Sequence, residues 1–110
     1  MTAYEVLAAD CHPQPACPKV VRLEDATLVV VGEQTASSNR VRIGWPLFTR
    51  AVAQLGAEIP AERSVPYVDV VGTPIDDAAE LLRLGAGIGE AAVSLAEADF
   101  VRSSTVEEAA

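Results

Sequence analysis

Runs of β-branched residues separated by short polar segments fill the first half of the chain. The runs at residues 20–23 and 27–31 flank a short acidic segment, and this pattern predicts a β-hairpin. After a polar loop at residues 32–39, residues 40–43 alternate strictly between charged and apolar side chains. Successive side chains of a strand point to opposite faces, so these residues predict a third strand with its apolar pair in the core.

A helix is predicted directly after this third strand. Pro46 suits the first turn of a helix, where its missing N–H costs no hydrogen bond. The apolar residues that follow have the spacing of one helix face: Phe48, Ala51, Val52 and Leu55. Gly56 comes directly after them and predicts the C-terminal end of the helix.

The second half of the chain predicts a second short helix and further strands. Asp76 is predicted to cap a helix that runs through Leu84 and ends at Gly85. Asp77, in the first turn, is predicted to complement the helix dipole. The other predicted elements are a strand at residues 65–71, a strand at residues 90–95 and a closing helical turn at residues 96–102.

These elements predict a single α+β domain, a small antiparallel sheet of about five strands with two short helices. A chain of 110 residues buries one core and leaves little for a second. Residues 1–18 end in a proline-rich segment and predict an N-terminal arm. The domain is expected over residues 19–102, and residues 103–110 are expected to form a flexible tail.

The two halves of the chain show a weak internal similarity. Each half has a valine run ended by glycine, an alternating strand and a phenylalanine: residues 28–32, 40–43 and 48, and residues 68–72, 92–95 and 100. This similarity predicts two diverged ββα-like repeats. A valine-rich α+β chain can also produce such pairs without any duplication.

Charge is distributed unevenly along the chain. The sequence carries 8 basic and 16 acidic residues, and the whole excess of acid lies in residues 56–110. A negative field repels phosphate backbones and anionic lipid, and it attracts a basic protein partner. Direct binding of nucleic acid or a membrane surface by this half is therefore disfavoured.

Composition also bears on origin and location. Seven of the eight basic residues are Arg, and Ala and Val are abundant, which is typical of a GC-rich bacterial genome. No run of about eighteen apolar residues is present, and the N-terminus lacks the basic flank of a signal peptide. We therefore expect a cytoplasmic protein whose Cys11 and Cys17 stay reduced.

The N-terminal segment offers candidate metal ligands in Cys11, His12 and Cys17, with Asp10 as a fourth. Structural zinc sites usually draw their ligands from two separated pairs, and only one group is present here. The sequence therefore predicts a surface loop with two thiols, and neither a metal nor a cofactor is expected.

Catalysis has little support in the sequence. His12 is the one histidine, so no second histidine can activate a nucleophile elsewhere. Asp76 and Asp77 are adjacent and are better explained as residues of a helix start. The glycine-rich segment at residues 85–89 follows a helix and lacks Lys, so it predicts a turn and not a phosphate loop.

Aromatic residues beside arginines form the candidate partner-binding site: Trp45, Phe48, Arg40, Arg42 and Arg50. Trp, Tyr and Arg are enriched at the energetic centres of protein interfaces. Phe48 is better explained as core. Trp45 is expected to be partly exposed at the rim of the core and to anchor a partner or a second copy of the chain.

The stretch at residues 21–31, followed by a polar loop and by residues 41–48 and Val52, resembles a family of small actinobacterial proteins. The members of this family, whose function is unknown, are encoded beside helix-turn-helix transcription regulators, including developmental regulators. Residues 17–20, 70–72 and 89–95 are similar to another set of short actinobacterial proteins, with a Cys-Pro start and a Gly-Glu-x-x-Val end. The resemblance implies a non-enzymatic, antitoxin-like partner of a transcription regulator that acts by protein contact.

The leading hypothesis is a regulatory or adaptor protein that binds another protein. The alternative is a DNA-binding module in which Arg40, Arg42 and Arg50 contact phosphates from a strand-helix unit, as in dimeric swapped-hairpin antitoxins. A small enzyme is the third and weakest hypothesis.

Overall fold

Antiparallel strands and short helices make up the structure, a computed structural model that describes residues 5–9, 18–23, 26–57, 67–86 and 89–101. The elements are β1 (Glu5–Ala9), β2 (Lys19–Arg22), β3 (Thr27–Gln34), β4 (Arg40–Gly44), α1 (Trp45–Gln54), β5 (Tyr67–Val71), β6 (Thr73–Pro74), α2 (Ala78–Leu84), β7 (Glu90–Ala96) and α3 (Glu97–Val101). The predicted α+β class and the antiparallel sheet are confirmed. The described residues form seven strands and three helices. Two of the strands, β1 and β6, were not predicted, and the predicted closing turn is the helix α3.

The strands close into a circuit in which every neighbouring pair is hydrogen-bonded except β5 and β6, which follow one another in the chain. β3 is central: β7 pairs along one of its edges, β2 pairs along the other, and β4 joins it at the C-terminal end. β4 pairs in turn with β5, and the chain continues from β5 into β6, which pairs with β7. The circuit therefore runs from β3 through β4, β5 and β6 to β7 and back to β3, with β2 and β1 added outside it.

Two glycines allow the strands of this circuit to approach closely. A Cβ atom on Gly32 would lie 2.6 Å from the carbonyl oxygen of Arg42, and one on Gly72 would lie 2.5 Å from that of Ser94. Real Cβ atoms are not found so close to a backbone oxygen. Glycine is therefore required where β3 meets β4 and where β5 turns into β6.

In the two predicted repeats, β3 is the counterpart of β5, and β7 is the counterpart of β4. Their pairing registers match. Val30 of β3 lies opposite Val93 of β7, and Val70 of β5 lies opposite Val41 of β4. The neighbouring pairs follow in the same order in both ladders. Phe48 of α1 and Phe100 of α3 contact each other, with ring centroids 5.0 Å apart. This register is the one that the predicted ββα-like repeats require, so the structure supports them.

The main core lies inside the circuit and is lined by small branched side chains. Each strand contributes the apolar residues of its inward face, as the strict alternation of β4 predicted for Val41 and Ile43. Helix α1 closes one end of this core with Leu47, Phe48, Ala51 and Val52 buried. The helix ends at Gln54, and Gly56, the predicted stop, follows the cap residue Leu55 with φ 75°.

A second, smaller core lies on the outer face of the sheet beneath α2. Its buried members are Val21, Val29, Val31, Leu84 and Ala92. This cluster explains why residues 28–31 form a continuous apolar run, since both faces of β3 are covered. The ammonium group of Lys19 donates a 2.6 Å hydrogen bond to the carbonyl oxygen of Leu84 and so completes the C-terminal turn of α2.

Several predicted boundaries were wrong. The arm expected over residues 1–18 contains β1, which pairs with β2 and is part of the sheet. The loop expected at residues 32–39 starts later, because β3 extends through Gln34. The cap of α2 is Asp77 and not Asp76, since the Asp77 side chain accepts a hydrogen bond from the N–H of Ala79.

Other predictions fall on residues that the structure does not describe. These are the segment with Cys11, His12 and Cys17 and the tail at residues 103–110. Among the described helices, none is long and apolar enough to cross a membrane.

Candidate functional site

The outward-facing side chains of β4 and β5 form the best candidate site. Val41 and Ile43 of β4 and Val68 and Val70 of β5 point into the core, so the alternate residues of both strands face outward. The register places Arg42 opposite Asp69 and Arg40 opposite Val71. We call this surface the open face, and its members are Arg40, Arg42, Tyr67, Asp69 and Val71.

One carboxylate lies between the two arginines of the open face. The Arg42 guanidinium donates from Nε to Asp69 Oδ1 at 2.9 Å, and Arg40 Nη1 lies 3.8 Å from Asp69 Oδ2. Exposed ion pairs of this kind contribute about 0–1 kcal/mol to stability because water screens them. They place both guanidinium groups beside one carboxylate at the centre of the open face.

Apolar surface flanks this charged centre. Tyr67 is 54% exposed at one end of the open face, and Val71 is 40% exposed at the other. The guanidinium carbon of Arg42 lies 5.9 Å from the centroid of the Tyr67 ring, within cation–π distance. In the described part of the chain four large hydrophobic side chains are exposed, and two of them belong to this one face.

A cleft of about 400 Å³ adjoins the open face at its Tyr67 end. Glu90, Glu33, Arg42 and Asp69 lie in one row across β7, β3, β4 and β5. The lining of the cleft includes three of these, Glu33, Glu90 and Arg42, together with Tyr67 and Pro18. The surface beside the open face is thus a concave region that combines two glutamates and one arginine with apolar and aromatic walls.

Helix α2 covers the outer face of β3 and β7 in one repeat, whereas no described helix covers the open face of β4 and β5 in the other. On β3 and β7, the outward residues Val29, Val31 and Ala92 lie beneath α2. When the two repeats are aligned, Val29 corresponds to Asp69, Val31 to Val71 and Ala92 to Arg40. No described helix lies over these counterparts, because residues 35–39 form a short turn where the other repeat has α2.

Phe48 was wrongly included among the candidate binding residues. Its side chain is 0% exposed and packs against Phe100, so no partner can reach it. Trp45 is half-buried, as expected for a residue at the rim of the core. Its ring stacks on Phe48 at a centroid distance of 5.5 Å because α1 begins at Trp45 and turns the ring toward the helix. A role for Trp45 in binding stays a prediction.

The predicted arginines do not form one cluster. Arg40 and Arg42 belong to the open face, as the alternation of residues 40–43 predicted. Arg50 lies on α1, where its Nε donates to the carbonyl oxygen of Pro46 at 3.4 Å. The site that the structure presents is therefore centred on β4 and β5 and not on the junction of β4 and α1.

Tyr67 and Asp69 were missed as site residues. The signal for them was present, since residues 67–71 alternate between outward Tyr, Asp and Val and inward Val. Glu33 and Glu90 gave no such signal, because their place beside Arg42 depends on the pairing of three strands that are distant in sequence.

The described part of the chain also includes the residues around α2 and other side chains of the types that bind metals. Among these described residues, no group of three or more His, Cys, Asp or Glu side chains is placed to hold a metal ion. Asp77 acts as a helix cap, and Gly85 ends α2 with φ 76°, as a turn residue does.

Comparisons with protein-family models, with curated proteins and with solved structures find no match to this chain.

Proposed function

We propose that this chain is a non-enzymatic regulatory or adaptor protein that binds another protein through the open face. The observation that carries the proposal is the exposure of Tyr67 and Val71 on either side of Arg42 and Asp69. Aromatic side chains and arginine supply much of the binding energy in protein interfaces. The two apolar side chains offer a partner contact area, and the charged pair between them fixes its orientation.

A helix-turn-helix transcription regulator is the first partner to test. This choice rests on the resemblance of the sequence to small actinobacterial proteins encoded beside such regulators. An antitoxin-like action by protein contact and a location in the bacterial cytoplasm belong to the same proposal.

Direct binding of DNA is the alternative, and the contacts give it less support. Asp69 lies 2.9 Å from Arg42 and 3.8 Å from Arg40, so it offsets part of the positive charge that phosphates require. Glu33 lies opposite Arg42 on the neighbouring strand. A gel-shift titration of duplex DNA at low salt separates the two functions, and retardation by the purified protein alone would favour the alternative.

Affinity capture from the native cell tests the proposal when it is done with two matched variants. Tyr67→Ala removes the aromatic ring of the open face, and Leu82→Ala removes an apolar side chain that is 80% exposed on α2. We expect the wild-type chain and Leu82→Ala to retain the same protein, quantified by mass spectrometry. Tyr67→Ala should retain at most about a tenth as much, which is typical for loss of an interface aromatic.

Equal retention by all three proteins would show that the open face is not the binding surface. Loss with both variants would point to a general effect on the fold. The melting temperature of each variant tests for such an effect on the fold. It should stay within a few degrees of wild type, because both positions are exposed.

A further inference from the structure

The second edge of β5 is open in the described part of the chain. β5 is the last strand in the sheet order, and among the described residues it pairs with β4 alone. All five of its residues pair with β4 in continuous register, without a bulge. An unpaired edge presents a row of N–H and C=O groups that can accept another strand.

The internal repeat shows that a strand fits at this position. β3, the counterpart of β5, carries β7 on one edge and β2 on the other. β4 pairs with β5 along the edge that corresponds to the edge of β3 paired with β7. The other edge of β5 therefore corresponds to the edge of β3 that β2 occupies. The same backbone geometry therefore already accepts an antiparallel strand in one half of the molecule.

The other edges of the sheet are protected. β1 is interrupted by a register shift between Val6 and Ala8, and its Glu5 forms a 2.6 Å ion pair with Arg22. β6 has two residues, one of which is Pro74. Bulges, charges and prolines are the usual devices that prevent pairing between edges, and β5 has neither a bulge nor a proline.

We propose that β5 pairs with β5 of a second copy of this chain, antiparallel and centred on Asp69. A two-fold axis at Asp69 places Tyr67 of each copy opposite Val71 of the other. Both side chains are exposed in the single chain, and aromatic with β-branched is a favourable cross-strand combination. The spacing of these two residues about Asp69 makes the strand complementary to itself.

The central pair of this interface brings two Asp69 carboxylates face to face. Like charges directly opposite each other disfavour pairing. In each copy, however, Asp69 lies within 4 Å of two guanidiniums, those of Arg42 at 2.9 Å and Arg40 at 3.8 Å. The four arginines of the dimer therefore outnumber its two central carboxylates and offset their repulsion.

Sedimentation equilibrium of the purified full chain tests this inference. Two five-residue strands bury a small area, so we expect a reversible monomer–dimer equilibrium that shifts with loading over about a hundredfold range of concentration. Val71→Glu and Tyr67→Glu should each weaken the dimer about tenfold or more, since each removes two cross-strand contacts per dimer and adds two charges. The carboxylate that Val71→Glu introduces also faces Arg40 across the ladder, which favours folding of the monomer.

Leu82→Glu is the matched control, because it adds the same charge at an exposed position of α2. It should dimerise as the wild type does. A wild-type chain that stays monomeric at every loading overturns the inference, as does a dimer that survives both β5 variants. Because the measurement uses the purified chain alone, its outcome is independent of whether another protein binds the open face.

Discussion

At the scale of single residues, close packing at two glycines decides whether the strands can close their circuit. Gly32 and Gly72 occupy equivalent places in the two repeats, and each lies against a backbone carbonyl of the strand that crosses it. Backbone atoms cannot move aside as the end of a long side chain can. A methyl group at either position must therefore push two strands apart.

Gly32→Ala and Gly72→Ala should each lower the free energy of unfolding by about 1–3 kcal/mol, the usual cost of overpacking. Gly44→Ala is the control, because the nearest atom to its added Cβ would be 3.7 Å away, an ordinary contact distance. Chemical denaturation of the three variants checks this. A loss for Gly44→Ala as large as for the other two would show that the close approaches do not control stability.

The two aromatic residues of α1 should respond differently to truncation. Phe48→Ala removes a 0% exposed side chain from the centre of the core and should cost about 3–5 kcal/mol. Trp45 is half-buried at the rim, so Trp45→Ala should cost clearly less and leave the chain folded. Urea denaturation measures both costs, and a larger loss for Trp45→Ala would contradict the placement of the two rings.

At the scale of elements, α2 is held at both of its ends by single side chains. Asp77 accepts a hydrogen bond from the N–H of Ala79 at the start, and Lys19 donates to the carbonyl oxygen of Leu84 at the end. A seven-residue helix has little stability of its own. Its position over β3 therefore depends on these two contacts and on the apolar cluster beneath it.

Removing the Lys19 contact should loosen α2 without unfolding the sheet. Lys19→Met keeps the length of the side chain but leaves the Leu84 carbonyl oxygen without its donor, at a cost of about 1–2 kcal/mol. Hydrogen exchange of the α2 amides should become faster while that of β3 and β7 changes little. Arg83→Met, which removes an exposed cation from the same helix, is the control and should have a much smaller effect.

The two aspartates before α2 give a direct test of the cap. Asp77→Ala should cost about 1 kcal/mol, as loss of an N-cap does. Asp76→Ala should cost less than half of that, because the structure assigns the cap to Asp77. Thermal denaturation of both variants distinguishes them, and the reverse order would restore Asp76 as the cap.

The sequence predicts an element well when its own residue pattern specifies it, and poorly when it forms by pairing with a distant strand. β4 and α1 carry their own alternation and helical spacing, so both were predicted within a residue or two. β1 was missed because its five residues, Glu5–Ala9, do not alternate strictly and precede the proline-rich segment; its pairing with β2 makes it part of the sheet. The two-residue β6 likewise exists only because β7 lies beside it.

At the scale of the whole molecule, the two repeats share a register but differ in what covers their outer faces. α2 seals the apolar outer face of β3 and β7, whereas the corresponding face of β4 and β5 carries Arg40, Arg42 and Asp69. The sequence predicted the repeats and the two arginines of β4. It could not show that Trp45 turns inward and that Tyr67 takes the exposed place, because that depends on where α1 begins.

Site-specific photo-crosslinking in the native cell tests most directly whether the open face binds another protein. A photoreactive phenylalanine analogue at position 67 replaces one aromatic ring with another, and the same analogue at position 82 is the control on α2. We predict a heavier adduct with a different protein from position 67, beside the adduct with a second copy that pairing of β5 allows, and no adduct with that protein from position 82. Equal adducts from both positions, or adducts from position 67 that contain only copies of this chain, would contradict an adaptor function for the open face.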